Sequence, residues 1–214
     1  MKRFNIAIDG PSGAGKSTIS KLLAKKLNMI HLDTGAMYRC LALKALQLGL
    51  NAENEEMLCN CLAHLTITLQ DEKVMMDGKD VSNEIRMKNV SDMASLVSRW
   101  PKVRQEMVAR QKQICHKKGF ILDGRDIGTV VLPDAKLKIF LVASIEARSL
   151  RRYEQDRLKN PDLSLDEVKK AMIKRDRQDE TRAASPLRQA ADAIRIDCSN
   201  LTIDEVVATI CAHL

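Results

Sequence analysis

Residues 4–18 read FNIAIDGPSGAGKST, an apolar run that leads directly into a glycine-rich loop. The apolar run, residues 4–8, predicts a short buried strand. Residues 17–27 carry their apolar side chains on one helical face and predict a helix. The loop between them fits the pattern G-x-x-x-x-G-K-[ST] at every fixed position, and its glycines let the backbone wrap around phosphate oxygens. The sequence therefore predicts a phosphate-binding loop between a strand and a helix.

A loop of this kind defines the P-loop class of nucleotide-binding proteins. We expect Lys16 to reach the β- and γ-phosphates of ATP and Ser17 to bind Mg²⁺ directly. The chain carries neither the D-x-x-G and N-K-x-D motifs of GTPase switches nor the paired-glycine signature of transporter-type ATPases. A small kinase is therefore the prediction. The residues assigned to ATP in this loop are Gly10, Pro11, Ser12, Gly13, Ala14, Gly15, Lys16, Ser17 and Thr18.

The order of predicted elements indicates a parallel α/β sheet with one insertion. Strands alternate with helices over most of the chain, which places consecutive strands in parallel. A hairpin pattern at residues 66–76 interrupts the alternation and predicts an inserted subdomain. Capping-box patterns at Ser164 and Thr202 open two late helices. The other predicted strands are residues 29–32, 120–123, 137–143 and 193–196, and the other predicted helices are residues 36–48, 101–117 and 144–158.

Composition favours anionic partners other than nucleic acid. The 35 Lys and Arg outnumber the 28 Asp and Glu, which gives a net charge of +7. The three Phe, two Tyr and one Trp are scattered, whereas a platform that stacks bases needs clustered aromatics. We expect no membrane partner, since the sequence has neither an apolar stretch of about 20 residues nor a signal-peptide pattern. The six cysteines include no C-x-x-C pair and indicate thiols in a cytoplasmic protein.

Arginines indicate where anions bind. Nine of the 16 arginines lie beyond residue 140. Arg148, Arg151 and Arg152 have helical spacing that predicts one shared face, and the set Arg175, Asp179 and Arg182 predicts another. Like charges on one face repel one another unless an anion lies among them. We therefore expect both faces to meet a phosphate-bearing ligand.

Three segments, taken together, resemble the bacterial cytidylate kinases: residues 8–17 (IDGPSGAGKS), 32–39 (LDTGAMYR) and 123–131 (DGRDIGTVV). The resemblance runs from residue 6 to about residue 210. It implies a single domain over residues 1–214 with the nucleoside monophosphate kinase fold, an α/β fold with a five-stranded parallel-sheet P-loop NTPase core, a small inserted β-hairpin subdomain and a helical lid. The implied core is about residues 1–61, 91–143 and 184–214, the CMP-side insert about 62–90 and the lid about 144–163.

The resemblance also implies an activity, in which the γ-phosphate of MgATP moves to CMP or dCMP for pyrimidine nucleotide supply. By residue, it assigns the CMP phosphate to Thr34, Tyr38, Arg39 and Arg125, and cytosine to Ser95, Arg104 and Asp126. It places Arg175 and Asp179 at the ribose, Arg182 near the transferring phosphate, and Arg148 and Arg152 of the lid over the ATP phosphates. Asp123 would bind Mg²⁺ through water. The implied catalytic residues are Lys16, Arg125, Arg175 and Arg182.

The chemistry of cytosine agrees with this assignment. The amine at position 4 donates to a carboxylate such as Asp126, whereas uracil presents a carbonyl there. No general base is needed, because the attacking phosphate oxygen is already ionised near pH 7. Accordingly, we interpret the sequence contexts of all four histidines as unremarkable: His31, His64, His116 and His213.

Three other functions stay open at this point. The chain could be a small P-loop kinase for UMP, AMP or a non-nucleotide metabolite. It could be a basic ATPase that binds nucleic acid, or a regulatory module that binds nucleotide without turnover. No heptad seam or apolar interface stripe is visible in the sequence, so we expect a monomer.

Overall fold

The computed structural model describes residues 4–70, 73–158 and 160–214. The described residues form two compact units, one within residues 4–31 and 115–214 and the other within residues 32–114. The predicted insert, residues 62–90, is smaller than the second unit. The unit is larger because a helix that begins at residue 34 packs against the helices that follow it in the chain.

A five-stranded sheet has the order β2-β6-β1-β7-β8, with β1 at its centre. The pairs β1–β6, β1–β7 and β7–β8 are parallel, and Ile8 of β1 lies in register with Asp123 and Ile139. All four residues of β1 are buried. The five predicted core strands and the α/β class are confirmed. The strands are β1 (Ile6–Asp9), β2 (Ile30–Asp33), β6 (Phe120–Gly124), β7 (Leu137–Val142) and β8 (Ile194–Asp197).

The described residues of the first unit form four helices, and the sequence predicted each of them. The capping boxes at Ser164 and Thr202 are both formed, each with its glutamate returning a hydrogen bond to the cap. Between β6 and β7 the chain makes a π-helical turn, Ile127–Val131, which the sequence did not predict. The helices are α1 (Lys16–Leu27), α6 (Ile145–Asp156), α7 (Leu165–Thr181) and α8 (Ile203–Cys211).

The predicted lid, residues 144–163, contains α6, which packs against α7. Ser144 caps α6 by accepting a hydrogen bond from the amide of Ala147. Residue 159 lies outside the described residues. The helix predicted over residues 144–158 is therefore confirmed, whereas its role as a lid stays a prediction.

The second unit combines four helices with a small antiparallel sheet of order β3-β4-β5. The hairpin prediction is confirmed, and β5 adds a third strand that the sequence did not show; part of the predicted turn, residues 71 and 72, lies outside the described residues. The strands are β3 (Ile67–Gln70), β4 (Lys73–Met76) and β5 (Lys79–Asp80). The helices are α2 (Thr34–Gln47), α3 (Glu55–Ala63), α4 (Lys88–Val97) and α5 (Pro101–Cys115).

The core of this unit forms around α2, on which Met37, Leu41 and other apolar residues are buried. Two of its helices, α3 and α4, were not predicted. The signal for α3 lay in its N-cap, Asn54, which accepts a hydrogen bond from the amide of Met57. The N-cap of α4 is Met87, whose side chain has no strong acceptor for such a bond.

Within the described ranges, none of the helices is long and apolar enough to cross a membrane. All six cysteines are free thiols, as predicted.

Candidate active site

The phosphate loop joins β1 to α1. Gly10 is needed because a Cβ there would lie 2.0 Å from the carbonyl oxygen of Leu141. Gly15, the N-cap of α1, has φ +88°, the left-handed conformation that glycine adopts without strain. The Lys16 Nζ donates a 2.6 Å hydrogen bond to the carbonyl oxygen of Pro11. The loop is thus preformed, and the Lys16 side chain is hydrogen-bonded to its backbone.

Lys16 is buried, and its surroundings control its charge. The pKa of Lys16 is lowered to about 7, chiefly by burial and then by the nearby Arg125, whereas Asp123 and Asp179 act in the opposite direction. A phosphate placed beside the ammonium group would restore its charge, because an adjacent anion favours the charged form. The same interactions locate the loop lysine close to an arginine–aspartate cluster of its own unit.

Asp123, at the end of β6, connects the loop to β2. The Ser17 hydroxyl donates a 2.7 Å hydrogen bond to Asp123 Oδ2, and His31 Nε2 lies 2.5 Å from Asp123 Oδ1. The prediction that all four histidines lie in unremarkable contexts is therefore wrong for His31. Its contact depends on β2 lying beside β6, which the sequence around His31 does not reveal.

A hydroxyl and a carboxylate that touch one another fit Mg²⁺, which prefers oxygen ligands and often takes only one or two from the protein. Ser17 and Asp123 supply these oxygens. Among the described residues no group of three or more His, Cys, Asp or Glu side chains could hold a metal ion. This pair therefore fits an ion that completes its coordination with phosphate oxygens and water.

A cluster of charged side chains surrounds Asp179 of α7. Arg125 Nε donates a 2.8 Å hydrogen bond to Asp179 Oδ2, and Arg182 Nη1 lies 3.5 Å from Asp179 Oδ1. Arg182 Nη2 also lies 4.0 Å from Asp126 Oδ1. Burial raises the pKa of Asp179, but Arg125, Arg175 and Arg182 together outweigh it and hold the pKa below its usual value. The predicted face of Arg175, Asp179 and Arg182 is thus confirmed, although Arg182 follows the last residue of α7.

The three arginines of the other predicted face contact different parts of the protein. Arg148 is buried, where its Nη1 donates to the carbonyl oxygen of Ser12 at 3.1 Å and to Asp176 Oδ2 at 2.5 Å. Arg151 instead donates to the carbonyl oxygen of Cys198 at 2.6 Å, after the end of β8. Arg152 pairs with Asp156, four residues further along α6. Each of the three arginines thus has its own protein partner, and Arg148 is the one whose hydrogen bonds include the phosphate loop. Their expected contact with a phosphate-bearing ligand stays a prediction.

Asp9, the last residue of β1, contacts the segment after β6. Its Oδ1 accepts a 2.8 Å hydrogen bond from the amide of Ile127, and its Oδ2 accepts a 2.7 Å hydrogen bond from the amide of Gly128. Burial raises the pKa of Asp9 to about 6, and these two hydrogen bonds oppose the rise. No sequence pattern pointed to this contact, because Ile127 and Gly128 lie 118 and 119 residues away from Asp9.

The second unit carries a further charged cluster at the start of α2. Asp33 accepts hydrogen bonds from the amide of Ala36 at 2.9 Å and from Arg39 Nη2 at 2.7 Å. Arg86 Nη2 lies 3.6 Å from the same carboxylate, a contact that the sequence did not indicate. Thr34 and Tyr38 are buried within the first turns of α2.

Arg104 of α5 is buried in the same unit. Its guanidinium carbon lies 5.3 Å from the centre of the Tyr38 ring, and its Nη1 donates to the carbonyl oxygen of Ser98 at 3.2 Å. The interaction brings Arg104 together with the first turns of α2. Ser95 lies on α4 and is half-buried.

Comparison with known proteins assigns the family. The cytidylate kinase family model matches residues 6–214. The chain belongs to the cytidylate kinase family.

Curated relatives agree over nearly the full length. The cytidylate kinase of Ligilactobacillus salivarius (strain UCC118) is 46% identical over 97% of this chain and 94% of its own length. That of Bacillus pumilus (strain SAFR-032) is 46% identical over 98% of this chain and 95% of its own. A solved gluconokinase from Sinorhizobium meliloti 1021 has a TM-score of 0.51 and 13% identity, covering 99% of this chain and 93% of that one. At this identity, the gluconokinase shows a shared fold only.

The residues predicted from the resemblance to cytidylate kinases fall into three groups. The first unit brings together Lys16, Ser17 and Asp123, and beside them Arg125 and Asp179. The second unit brings together Tyr38 and Arg104. A third group lies on α6, where Arg148 contacts Ser12 of the phosphate loop and Arg152 pairs with Asp156 of its own helix. Their roles toward nucleotides stay predictions.

Proposed function

We propose that this protein transfers the γ-phosphate of MgATP to CMP or dCMP, which gives ADP and CDP or dCDP. Membership of the cytidylate kinase family over residues 6–214 supports the acceptor class. The observation that carries the proposal within the structure is the arginine cluster beside the phosphate loop, where the charge of Arg125 acts on Lys16. A loop for one polyphosphate next to buried arginines is what transfer between two phosphates requires.

ATP is assigned to the phosphate loop. Backbone amides of residues 10–18 and the N-terminus of α1 would surround its phosphates, with Lys16 at the β- and γ-phosphates. Arg148, held against Ser12 in the structure, would add a positive charge on the same side. Mg²⁺, held by the Ser17 hydroxyl and through water by Asp123, would neutralise charge on the phosphate oxygens when bound.

Acceptor binding in the first unit is assigned to Arg125, Asp126, Arg175 and Asp179. Arg125 would exchange its bond to Asp179 for the CMP phosphate, because a guanidinium fits a phosphate dianion with two parallel hydrogen bonds. Asp126, which is buried, would accept a hydrogen bond from the cytosine amine. Arg175 and Asp179 would then face the ribose.

Acceptor binding in the second unit is assigned to residues of α2, α4 and α5. Thr34, Tyr38 and Arg39 would bind the CMP phosphate, and Arg39 is already oriented by its bond to Asp33. Ser95 and Arg104 would donate to the cytosine acceptors. The stacking of Arg104 on the Tyr38 ring fixes the direction of its guanidinium.

The transfer itself needs no general base. An ionised oxygen of the CMP phosphate forms a bond to the γ-phosphorus while the bond from that phosphorus to the oxygen bridging it to the β-phosphate breaks, and ADP leaves with the electron pair. Lys16, Arg125 and Arg182 would align the two anions and offset the charge that develops between them. Closure of the predicted lid over residues 144–163 would exclude water, which otherwise competes for the γ-phosphate.

An acceptor screen tests the proposal. ADP release from MgATP is measured by a coupled assay with CMP, dCMP, UMP, AMP and GMP offered separately. Turnover with CMP and dCMP well above the other acceptors is the expected result. Turnover with a different acceptor would keep the phosphate-loop mechanism and remove the cytosine assignments, whereas no turnover with any acceptor would remove the kinase proposal. Sedimentation of the same sample tests the expected monomer.

A further inference from the structure

We infer that Asp9 is a positioning residue for recognition of the acceptor, because its carboxylate fixes the segment that presents Arg125 and Asp126. The inference rests on the proposed function, which assigns these two residues to the CMP phosphate and to cytosine. Asp9 is not expected to touch either nucleotide. Its role is carried through the backbone of the segment that follows β6.

The geometry holds this segment at both ends. Asp9 and Gly124 are in register on the parallel strands β1 and β6, so the sheet fixes the chain up to Gly124. The amides of Ile127 and Gly128 are fixed by the two oxygens of Asp9, at 2.8 and 2.7 Å. Only residues 125 and 126 lie between these anchors. Their backbone directions, and therefore the directions of their side chains, depend on both anchors.

The turn after residue 126 extends this constraint. The carbonyl oxygen of Asp126 accepts hydrogen bonds from the amides of Val130 and Val131 at 2.9 and 3.2 Å, which closes the π-helical turn. The amides at the start of such a turn point away from it and need acceptors from elsewhere. Asp9 supplies two acceptors on one side chain, so one carboxylate satisfies both amides.

The burial of the Asp9 carboxylate supports a positioning role. Removing an ionised side chain from water is energetically costly unless the side chain is hydrogen-bonded. Asp9 is buried at the end of a central strand, a position that an apolar residue could occupy in a sheet core. The charged groups that act on it are Asp126, which raises its pKa, and Lys16, which lowers it. Asp9 therefore lies among the residues assigned to both nucleotides.

Gly128 offers a second way to disturb the same contact. A Cβ at this position would lie 3.4 Å from Asp9 Oδ2 and 3.2 Å from Lys138 Cδ. The methyl group of Gly128→Ala would therefore touch the carboxylate at van der Waals distance and crowd the neighbouring Lys138 side chain, so it disturbs the surroundings of the carboxylate but leaves it in place. Asp9→Asn, in contrast, keeps the shape and leaves one amide facing the NH₂ group in place of an acceptor.

The experiment measures kcat and KM for CMP, UMP and ATP in the wild type, Asp9→Asn and Gly128→Ala. We expect Asp9→Asn to lower the preference for CMP over UMP in kcat/KM by about tenfold or more and to raise the KM for CMP by a similar factor, the loss typical of one hydrogen bond to a charged group. The KM for ATP should change by less than about threefold, a factor below that of one lost hydrogen bond. Gly128→Ala should change the preference in the same direction.

Val207→Ala is the control for stability, because Val207 is buried in α8 and has no part in the site. Its thermal midpoint should fall while its nucleotide preference stays at the wild-type value. If Asp9→Asn behaves in the same way, or changes only the KM for ATP, Asp9 is a structural residue and the inference is overturned. If Asp9→Asn does not fold, Gly128→Ala decides by the same criterion. A wild type that does not use CMP overturns the proposed function and the inference with it.

Discussion

Ser17 and Asp123, 106 residues apart in the chain, are joined by a 2.7 Å hydrogen bond between the hydroxyl and Oδ2. The bond connects the start of α1 to the end of β6. On the other side of the same carboxylate lies His31, 2.5 Å from Oδ1. Asp123 is thus held in one orientation by two partners, with its oxygens beside the loop assigned to ATP.

Replacing Asp123 should weaken the use of Mg²⁺. Asp123→Asn removes the charge that orders water around the ion, and we expect the Mg²⁺ concentration for half-maximal activity to rise about 10- to 100-fold. The measurement is activity against free Mg²⁺ at saturating nucleotides. Asp134→Asn is the control, since Asp134 is an exposed partner of Lys118. An unchanged Mg²⁺ dependence would remove Asp123 from the metal site.

Sequence alone predicts the fold well here because its signals are local. The loop pattern of residues 10–17 fixes a strand before it and a helix after it, and the boxes at Ser164 and Thr202 mark helix starts within four residues. The helix α4 escaped prediction because its cap, Met87, lacks the side-chain acceptor that the caps of α6, α7 and α8 provide.

The site is less predictable because its contacts join distant parts of the chain. Asp9 meets the amide of Ile127, 118 residues away, and His31 meets Asp123, 92 residues away. Helical spacing correctly grouped Arg175 with Asp179. Helical spacing also grouped Arg151 with Arg148 and Arg152, but spacing does not reveal that Arg151 donates to the backbone carbonyl of Cys198.

Arg182 is expected to act on the transition state. Its guanidinium is buried between Asp126 and Asp179, so it lies close to the assigned acceptor groups. Arg182→Ala should lower kcat by about 1,000-fold, the scale of a lost transition-state arginine, and raise the KM for ATP far less. Steady-state kinetics with CMP measures both. Arg188→Ala, which removes an exposed arginine of the same segment, should leave kcat near the wild-type value. An unchanged kcat in Arg182→Ala would exclude the transition-state role.

Asp126 should determine the choice of base. Removing the carboxylate removes the acceptor for the cytosine amine and the repulsion of the uracil carbonyl. Asp126→Ala should therefore reduce the preference for CMP over UMP by about 100-fold in kcat/KM. Competition between the two acceptors in one reaction, resolved by chromatography of CDP and UDP, measures this ratio directly. Full retention of the preference would assign Asp126 to its ion pair with Arg182 instead.

The stability of the protein should carry a pH dependence due to Asp9. Its pKa rises from 3.8 to about 6 on folding, chiefly because it is buried. Between pH 3.8 and about pH 6, Asp9 of the folded chain keeps a proton that the unfolded chain has released. The contribution of this proton to the free energy of unfolding is therefore complete below pH 3.8 and is lost as the pH rises through about 6. The shift corresponds to about 3 kcal/mol. Groups such as Asp179, whose pKa is lowered on folding, act in the opposite direction. They are present in both the wild type and Asp9→Asn, so their effect cancels when the two proteins are compared. The free energy of unfolding of the wild type minus that of Asp9→Asn, from urea titrations between pH 4 and pH 7, should therefore fall as the pH rises. A difference that stays constant over this range would mean that Asp9 does not titrate there, and that its two amide partners hold it ionised throughout.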